Sequence, residues 1–290
     1  MIIVITGPTC MGKSETALEV AKTINAEIVN GDAFQCYKEM DIGVAKPDPK
    51  YLLEVPHHLY SFIDVDHDYS IAEYQVNLRK KIDELLSIRK NIVIVGGSGL
   101  YIRSALYDYD FQENKEVNMS KYEAMDNRTL HDELRKIDPK EAEKIHMNNR
   151  KRVLRAIEIY LSTGENKSEI ISKQEHKPLY DVNFYVRDID RDLLYKRIDS
   201  RVDQMLEKGL FDEVKSLFKK YGSSPRAFQA IGYKELIACL EGQISYDEAV
   251  DKIKQNTRNY AKRQLTYIRH QFPVKYYKDN KDLLEIIANG

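Results

Sequence analysis

Apolar positions follow two rhythms along this chain. The first is continuous. "MIIVIT" at the start, "AEIVNGD" ending at Asp32, and "NIVIVGGSGLY" with four successive apolar residues at Ile92–Val95 are short and little interrupted by polar residues. Such runs predict strands buried on both faces, as in a parallel sheet covered by helices. The second rhythm is helical. It begins near Lys13 and runs through Leu18 and Ala21. After Phe111 the continuous runs stop, and residues 112–177 show only helical spacing and many charges. In "KRVLRAIEIYLSTG" Val153, Ile157 and Tyr160 share one face, and Gly164 follows the last turn. "VNFYVRDID" then predicts a strand returning to the sheet, followed by helices over 190–209, 211–222 and about 246–272. The expected architecture is α/β, with a core formed by 1–111 and 178–290 and an inserted small all-helical domain at 112–177.

Between the first strand and the first helix lies "GPTCMGKS", Gly7, Pro8, Thr9, Cys10, Met11, Gly12, Lys13 and Ser14. It fits G-x-x-x-x-G-K-[ST], whose backbone N–H groups cradle a diphosphate-sized anion. By average composition a chance match in a chain of this length is on the order of 1%, and the strand before and helix after sharpen the assignment. The core is thus expected to be a P-loop NTPase-like sheet. Lys13 is expected on the terminal phosphate pair and the Ser14 hydroxyl on Mg²⁺, beside the positive end of a helix. The run "IVIV" ends in Gly96–Gly97 rather than in a carboxylate, which weakens an ATPase reading but leaves a kinase open. Asp32 stands at the carboxyl end of a core strand, where open α/β sheets bind ligands. In a kinase it would hold Mg²⁺ or act as a base. The motif alone does not say whose phosphates are bound.

Composition changes this picture little. The 290 residues are 42% hydrophobic and 31% charged, with a formal net charge of −1, so RNA binding would have to rest on local patches. No apolar run reaches the roughly 18 residues of a membrane span. No secretory leader is expected, and three widely spaced cysteines fit a reducing cytoplasm. Cys10, at a helix N-terminus beside Lys13, is expected to have a lowered thiol pKa. The adjacent His57–His58 lack metal-ligand spacing. Between Lys252 and Lys278 there is no Asp or Glu but eight basic residues, among them Arg258, Lys262 and Arg269 beside a core stripe of Ala261, Leu265 and Ile268. Arg150, Lys151, Arg152 and Arg155 form a second basic cluster. Both are the footprint expected for phosphate contacts.

The order of motifs resembles one family, the tRNA dimethylallyltransferases. Its pattern runs through the P-loop, "DSxQVYxxxDIGTAKP", "PHH", "DP…YS", "GGTGLY", "RALEVYxxTG", "QAIGYKE" and "TRxYAKRQxTWxR". This chain offers Gly7–Ser14, Asp32–Pro47, Pro56–His58, Asp68–Ser70, Gly96–Tyr101, Arg155–Gly164, Gln229–Glu235 and Thr257–Arg269. The resemblance implies transfer of a dimethylallyl group from dimethylallyl diphosphate to N6 of the adenosine 3′-adjacent to a tRNA anticodon, with Mg²⁺ as cofactor. It implies that Asp32 is the base, that Lys13, Thr9 and Arg201 serve the diphosphate, and that Asp32, Ala33, Phe34, Gln35, Ser98, Lys151, Arg152, Arg155, Arg258 and Lys262 meet the anticodon stem-loop. Gln35 is the expected reader of an extruded base, and Tyr37 is as readily a core residue. The chain departs from the pattern at Ala33 (serine in the family), Cys36, Cys10–Met11, Ser98, Lys151 and Tyr267. A cytoplasmic monomer is expected. The alternative from the motif alone is a P-loop small-molecule or nucleoside kinase that binds ATP, and a non-catalytic RNA-binding module is a third class.

Overall fold

A computed structural model of the chain describes residues 1–109, 111 and 117–289. The chain divides into two compact units, Met1–Leu106 with Tyr180–Gly290, and Tyr107–Leu179. The junction expected at residue 112 lies outside the described residues.

In the first unit the strands are β1 (Ile2–Thr6), β2 (Ala26–Asn30), β3 (His57–His58), β4 (Asn91–Gly96), β5 (Val182–Arg187) and β6 (Val274–Tyr277). They form one sheet, β3-β2-β4-β1-β5-β6, in which every pairing is parallel. The continuous apolar runs are its centre. Ile3, Val4, Ile5, Ile28, Val29 and Ile92–Ile94 are fully buried, as a strand covered on both faces requires. Helices α1 (Lys13–Thr23), α2 (Pro49–Glu54), α3 (Ile71–Ser87) and α4 (Gly99–Leu106) belong to this unit. The second unit holds α5 (Ser120–Glu123), α6 (Asn127–Ile137), α7 (Pro139–Lys144), α8 (Arg150–Thr163) and α9 (Lys167–Lys173) around Leu130, Leu134, Val153 and Ile157. The chain returns to the first unit with α10 (Arg191–Glu207), α11 (Leu210–Tyr221), α12 (Tyr233–Leu240), α13 (Tyr246–Gln271) and α14 (Asn280–Asn289). This is the α/β, P-loop-like parallel sheet flanked by helices that the apolar rhythm predicts.

Local chemistry sets the boundaries. Ser70 with Glu73 and Ser245 with Glu248 form reciprocal capping boxes at the starts of α3 and α13. Asp190 caps α10, and Gly164 at φ 77° ends α8. One face assignment fails. Tyr160 is 37% exposed, because α8 buries Val153, Ala156 and Ile157 and turns Tyr160 to solvent. His57 and His58 form an edge strand. His57 Nδ1 lies 2.8 Å from the Val55 carbonyl, and His58 Nε2 lies 2.7 Å from Glu27 Oε2. No helix among the described residues is long and apolar enough to cross a membrane.

Candidate active site

The carboxyl ends of β1, β2 and β4 meet at one place, and each contributes a loop. After β1 the chain passes through left-handed backbone at Cys10 (φ 66°) and Gly12 (φ 75°) before α1 begins at Lys13. The Lys13 ammonium donates to the Pro8 carbonyl at 2.6 Å, closing the loop on itself. Burial lowers its pKa to about 8, against an opposing pull from Asp32. Gly7, Pro8 and Met11 are buried beneath the loop.

Asp32 follows β2. Its turn is built by Asn30, which is fully buried: the Asp32 N–H donates to Asn30 Oδ1 at 2.8 Å, and Asn30 Nδ2 donates to the Asp32 carbonyl at 2.9 Å. Asp32 Oδ1 accepts from the Phe34 N–H at 2.9 Å. Burial pushes the carboxyl pKa up, while that hydrogen bond and Lys13 work the other way. The result is a base and a cation, each destabilised by burial and partly relieved by the other. Ala33 donates its N–H to Ser98 Oγ at 3.0 Å, so the Ser98 hydroxyl ties the β4 loop to the β2 loop. Glycine at the last position of β4 has a steric cause. A Cβ on Gly96 would lie 2.1 Å from the Gly31 backbone, which leaves no room for the carboxylate that many P-loop proteins carry there.

Gln264 of α13 completes the arrangement, and sequence reasoning did not assign it. Its Oε1 accepts from the Thr9 N–H at 3.2 Å and its Nε2 donates to the Gly97 carbonyl at 2.9 Å. One buried amide thus links the phosphate loop to the β4 turn. A cleft of about 1380 Å³ is lined by Thr9, Cys10, Met11, Gly12, Lys13, Ser14, Asp32, Phe34, Gln35, Arg201 and Gln264, with the loop from Asp41 to Pro49 as a further wall. The phosphate-loop residues and Asp32 therefore share one cavity with Arg201 of α10. Ala33 and Ser98 stand behind Asp32, joined as described.

Several expectations need correction. The Cys10 thiol is pushed up, not down: burial outweighs the lowering effects of Thr9, Lys13, Arg201 and Arg197. Gln35 has its amide donors engaged, with Nε2 bonded to the carbonyls of Val44 (3.0 Å) and Ala45 (3.1 Å), so it braces a cleft wall rather than presenting free donors to a base. Tyr37 is the core residue that the sequence allowed. Cys36 is buried, its thiol raised to about 12 by burial and then by Asp32. The acid-free stretch of α13 is answered from α10, because Arg258 pairs with Asp199 and Lys254 pairs with Asp203 at 2.6 Å. Lys262 is exposed on the same helix. In the second unit Arg150 is a brace on the carbonyls of Tyr122, Glu123 and Met125, whereas Lys151 and Arg152 are exposed and Arg155 pairs with Glu158 at 2.8 Å. Among the described residues no group of three or more His, Cys, Asp or Glu could by itself hold a metal.

The family profile described as "IPP transferase" matches residues 35–271. The chain belongs to the IPP transferase family. A tRNA dimethylallyltransferase of Anoxybacillus flavithermus is 40% identical over 285 residues, covering 98% of this chain and 92% of that one. One from Bacillus licheniformis is 44% identical over 282 residues, covering 95% and 90%. Among solved structures, the tRNA delta(2)-isopentenylpyrophosphate transferase of Staphylococcus epidermidis superposes with a TM-score of 0.74 at 39% identity, covering 99% and 97%. A eukaryotic dimethylallyltransferase, studied acting on tRNA, gives 0.83 at 27% identity, covering 99% of this chain and 79% of that one. The phosphate loop and Asp32 precede the family match but fall within these nearly full-length alignments. Membership makes this chain a transferase and sets the kinase alternative aside.

Proposed function

We propose that this member of the IPP transferase family transfers a dimethylallyl group from dimethylallyl diphosphate to N6 of the adenosine 3′-adjacent to the anticodon of tRNA, releasing pyrophosphate. The observation that carries this reading is the single cleft in which a phosphate loop and its lysine share space with a buried carboxylate. A kinase needs the first. Alkylation of an exocyclic amine needs both.

The N6 amine attacks the allylic C1, the C1–O bond breaks, and its electron pair leaves with pyrophosphate. The loop N–H groups, Lys13 and Arg201 stabilise the growing charge on that leaving group, and preorganised donors of this kind are usually the largest catalytic contribution. Thr9, held by Gln264, helps to place the diphosphate. The N6 proton passes to Asp32. A carboxylate whose pKa burial raises is a stronger base than an ordinary one, and Lys13 opposes that rise by favouring the ionised form.

The residues present fit Mg²⁺ bound mainly through substrate phosphates. Ser14 lines the cleft beside Lys13 and offers a hydroxyl, in keeping with an ion that usually takes few protein ligands. When bound, the ion supplies further neutralisation of the leaving diphosphate. Phosphates of the RNA fall to Lys151, Arg152 and Arg155 and to Arg258 and Lys262, of which Lys151, Arg152 and Lys262 are exposed. The protein acts as a monomer in the cytoplasm on this reading. Incubation with Mg²⁺, unmodified tRNA and labelled dimethylallyl diphosphate, with labelled ATP in parallel, tests it. Label in the adenosine beside the anticodon is the expected result. Release of γ-phosphate from ATP without prenyl transfer overturns it.

A further inference from the structure

The wall of the cleft from Asp41 to Pro47 carries no regular structure, and its shape is imposed from outside. Glu213 of α11 reaches it with both oxygens. Oε2 accepts from the N–H groups of Asp41 (3.0 Å) and Ile42 (2.8 Å), and Oε1 accepts from the N–H of Gly43 (3.2 Å) and the hydroxyl of Tyr233 (2.5 Å). Three successive backbone amides on one anion make a nest, here filled by the protein's own carboxylate. Tyr233 of α12 packs its ring on the same spot, since a Cβ on Gly43 would lie 2.4 Å from the ring. Burial and the adjacent carboxylate hold the Tyr233 phenol protonated, so it stays a donor. From the other side Gln35 holds the Val44 and Ala45 carbonyls, and Lys46 Nζ holds the Tyr37 carbonyl (2.6 Å) and Asp41 Oδ1 (2.7 Å). Ala45 sits at φ 53°, a left-handed conformation that a non-glycine residue keeps only where its surroundings over-determine it.

This much restraint on a half-buried loop without regular structure needs a reason. The helices α11 and α12 gain little stability from charge-assisted bonds to this segment that an apolar contact could not supply. The cleft gains a wall of fixed shape, joined by Gln35 to the turn that carries Asp32 and Phe34. We propose that Glu213, with Tyr233, is a positioning residue for the transfer reaction, fixing the 41–47 wall that orients the RNA acceptor in the Asp32 cleft. The proposal rests on the transferase reading and adds a residue that lies about 170 positions from the loop it controls.

The test uses Glu213→Gln and, should that variant fold poorly, Tyr233→Phe, which removes one hydroxyl and leaves the ring on Gly43. Amide hydrogen exchange at residues 41–43 reads the clamp without any substrate, and at least a tenfold acceleration is expected in Glu213→Gln. Unchanged exchange overturns the clamp whatever the protein catalyses. Steady-state transfer to an anticodon stem-loop RNA is then expected to show KM for RNA raised at least tenfold, with pyrophosphate affinity within twofold of wild type. A purely structural role would lower the active fraction and hence kcat while leaving KM alone, and that result also overturns the proposal. If the wild-type protein transfers no prenyl group, the proposed function fails while the exchange arm still decides the clamp. In Glu213→Gly, added acetate should slow the exchange of 41–43 again by refilling the nest.

Discussion

The pH dependence of kcat/KM is the most direct test of how the site works. Lys13 is held at about 8 by burial, where a solvated lysine titrates at 10.5. Asp32 is raised above its ordinary 3.8 by the same cause. The reaction needs Lys13 protonated to bind a polyanion and Asp32 ionised to accept a proton. Activity is therefore lost as pH rises through the Lys13 value and as pH falls through the Asp32 value. With Lys13 near 8, about nine-tenths of it is charged at pH 7, half at pH 8 and a tenth at pH 9, so kcat/KM should fall roughly tenfold between pH 7 and pH 9. An ordinary lysine would leave that interval almost flat. The assay is initial-rate transfer at limiting dimethylallyl diphosphate, because kcat/KM reports the free enzyme. Once the diphosphate is bound its charge raises Lys13, so the alkaline limb of kcat should move to higher pH. Lys13→Arg supplies the control. Arginine stays charged throughout, so the variant should be slower but lose the alkaline limb. A flat wild-type profile up to about pH 9.5, or a limb that persists in Lys13→Arg, would refute the reasoning.

Asp32→Asn should abolish transfer while leaving pyrophosphate affinity, measured by calorimetry, nearly unchanged; comparable loss of both would make Asp32 a ligand-site residue rather than the base. Gln264→Leu leaves the Thr9 N–H and the Gly97 carbonyl without their partner, a loss of about 2–4 kcal/mol in urea unfolding, with weaker pyrophosphate binding as Thr9 is released. Gly96→Ala should prevent folding or displace Asp32, because the new Cβ would fall 2.1 Å from the Gly31 backbone, whereas Gly164→Ala, at φ 77° with open space, should cost only about 1 kcal/mol. Lys151→Ala, Arg152→Ala and Lys262→Ala should each weaken RNA binding and reduce the slope of log affinity against log salt by roughly one. Arg258→Ala should weaken RNA binding and also lower thermal stability, since it breaks the ion pair with Asp199.

What the sequence made legible was whatever lies close together along the chain. The phosphate loop, the strands β1, β2, β4 and β5 and the long helix α13 each announce themselves within a dozen or so residues, by unbroken apolar runs, by helical spacing or by a fixed motif. The strands β3 and β6 span two and four residues, too short for a period to register, and they exist because β2 and β5 offer them edges. The site divides the same way. Lys13, Ser14 and Asp32 are marked by position at strand ends, but the partners that fix them come from far away. Gln264 stands 255 residues from Thr9 and 167 from Gly97, and Glu213 about 170 from the loop it holds. A trace of Gln264 was present: with Ala261, Leu265 and Ile268 it lies on the core side of α13, a polar residue on an apolar stripe, and a buried amide must find partners. The misreading of Cys10 has the opposite origin. Proximity to a helix terminus and a lysine is visible in the sequence and argues for a low thiol pKa, but burial is a tertiary property, and here it outweighs both. The same burial lowers Lys13 and raises Asp32. Residue types in a motif thus name the charges at this site. How readily those charges exist, and so the pH range in which the site can act, is decided by the walls that α10, α13 and the 41–47 loop place around them.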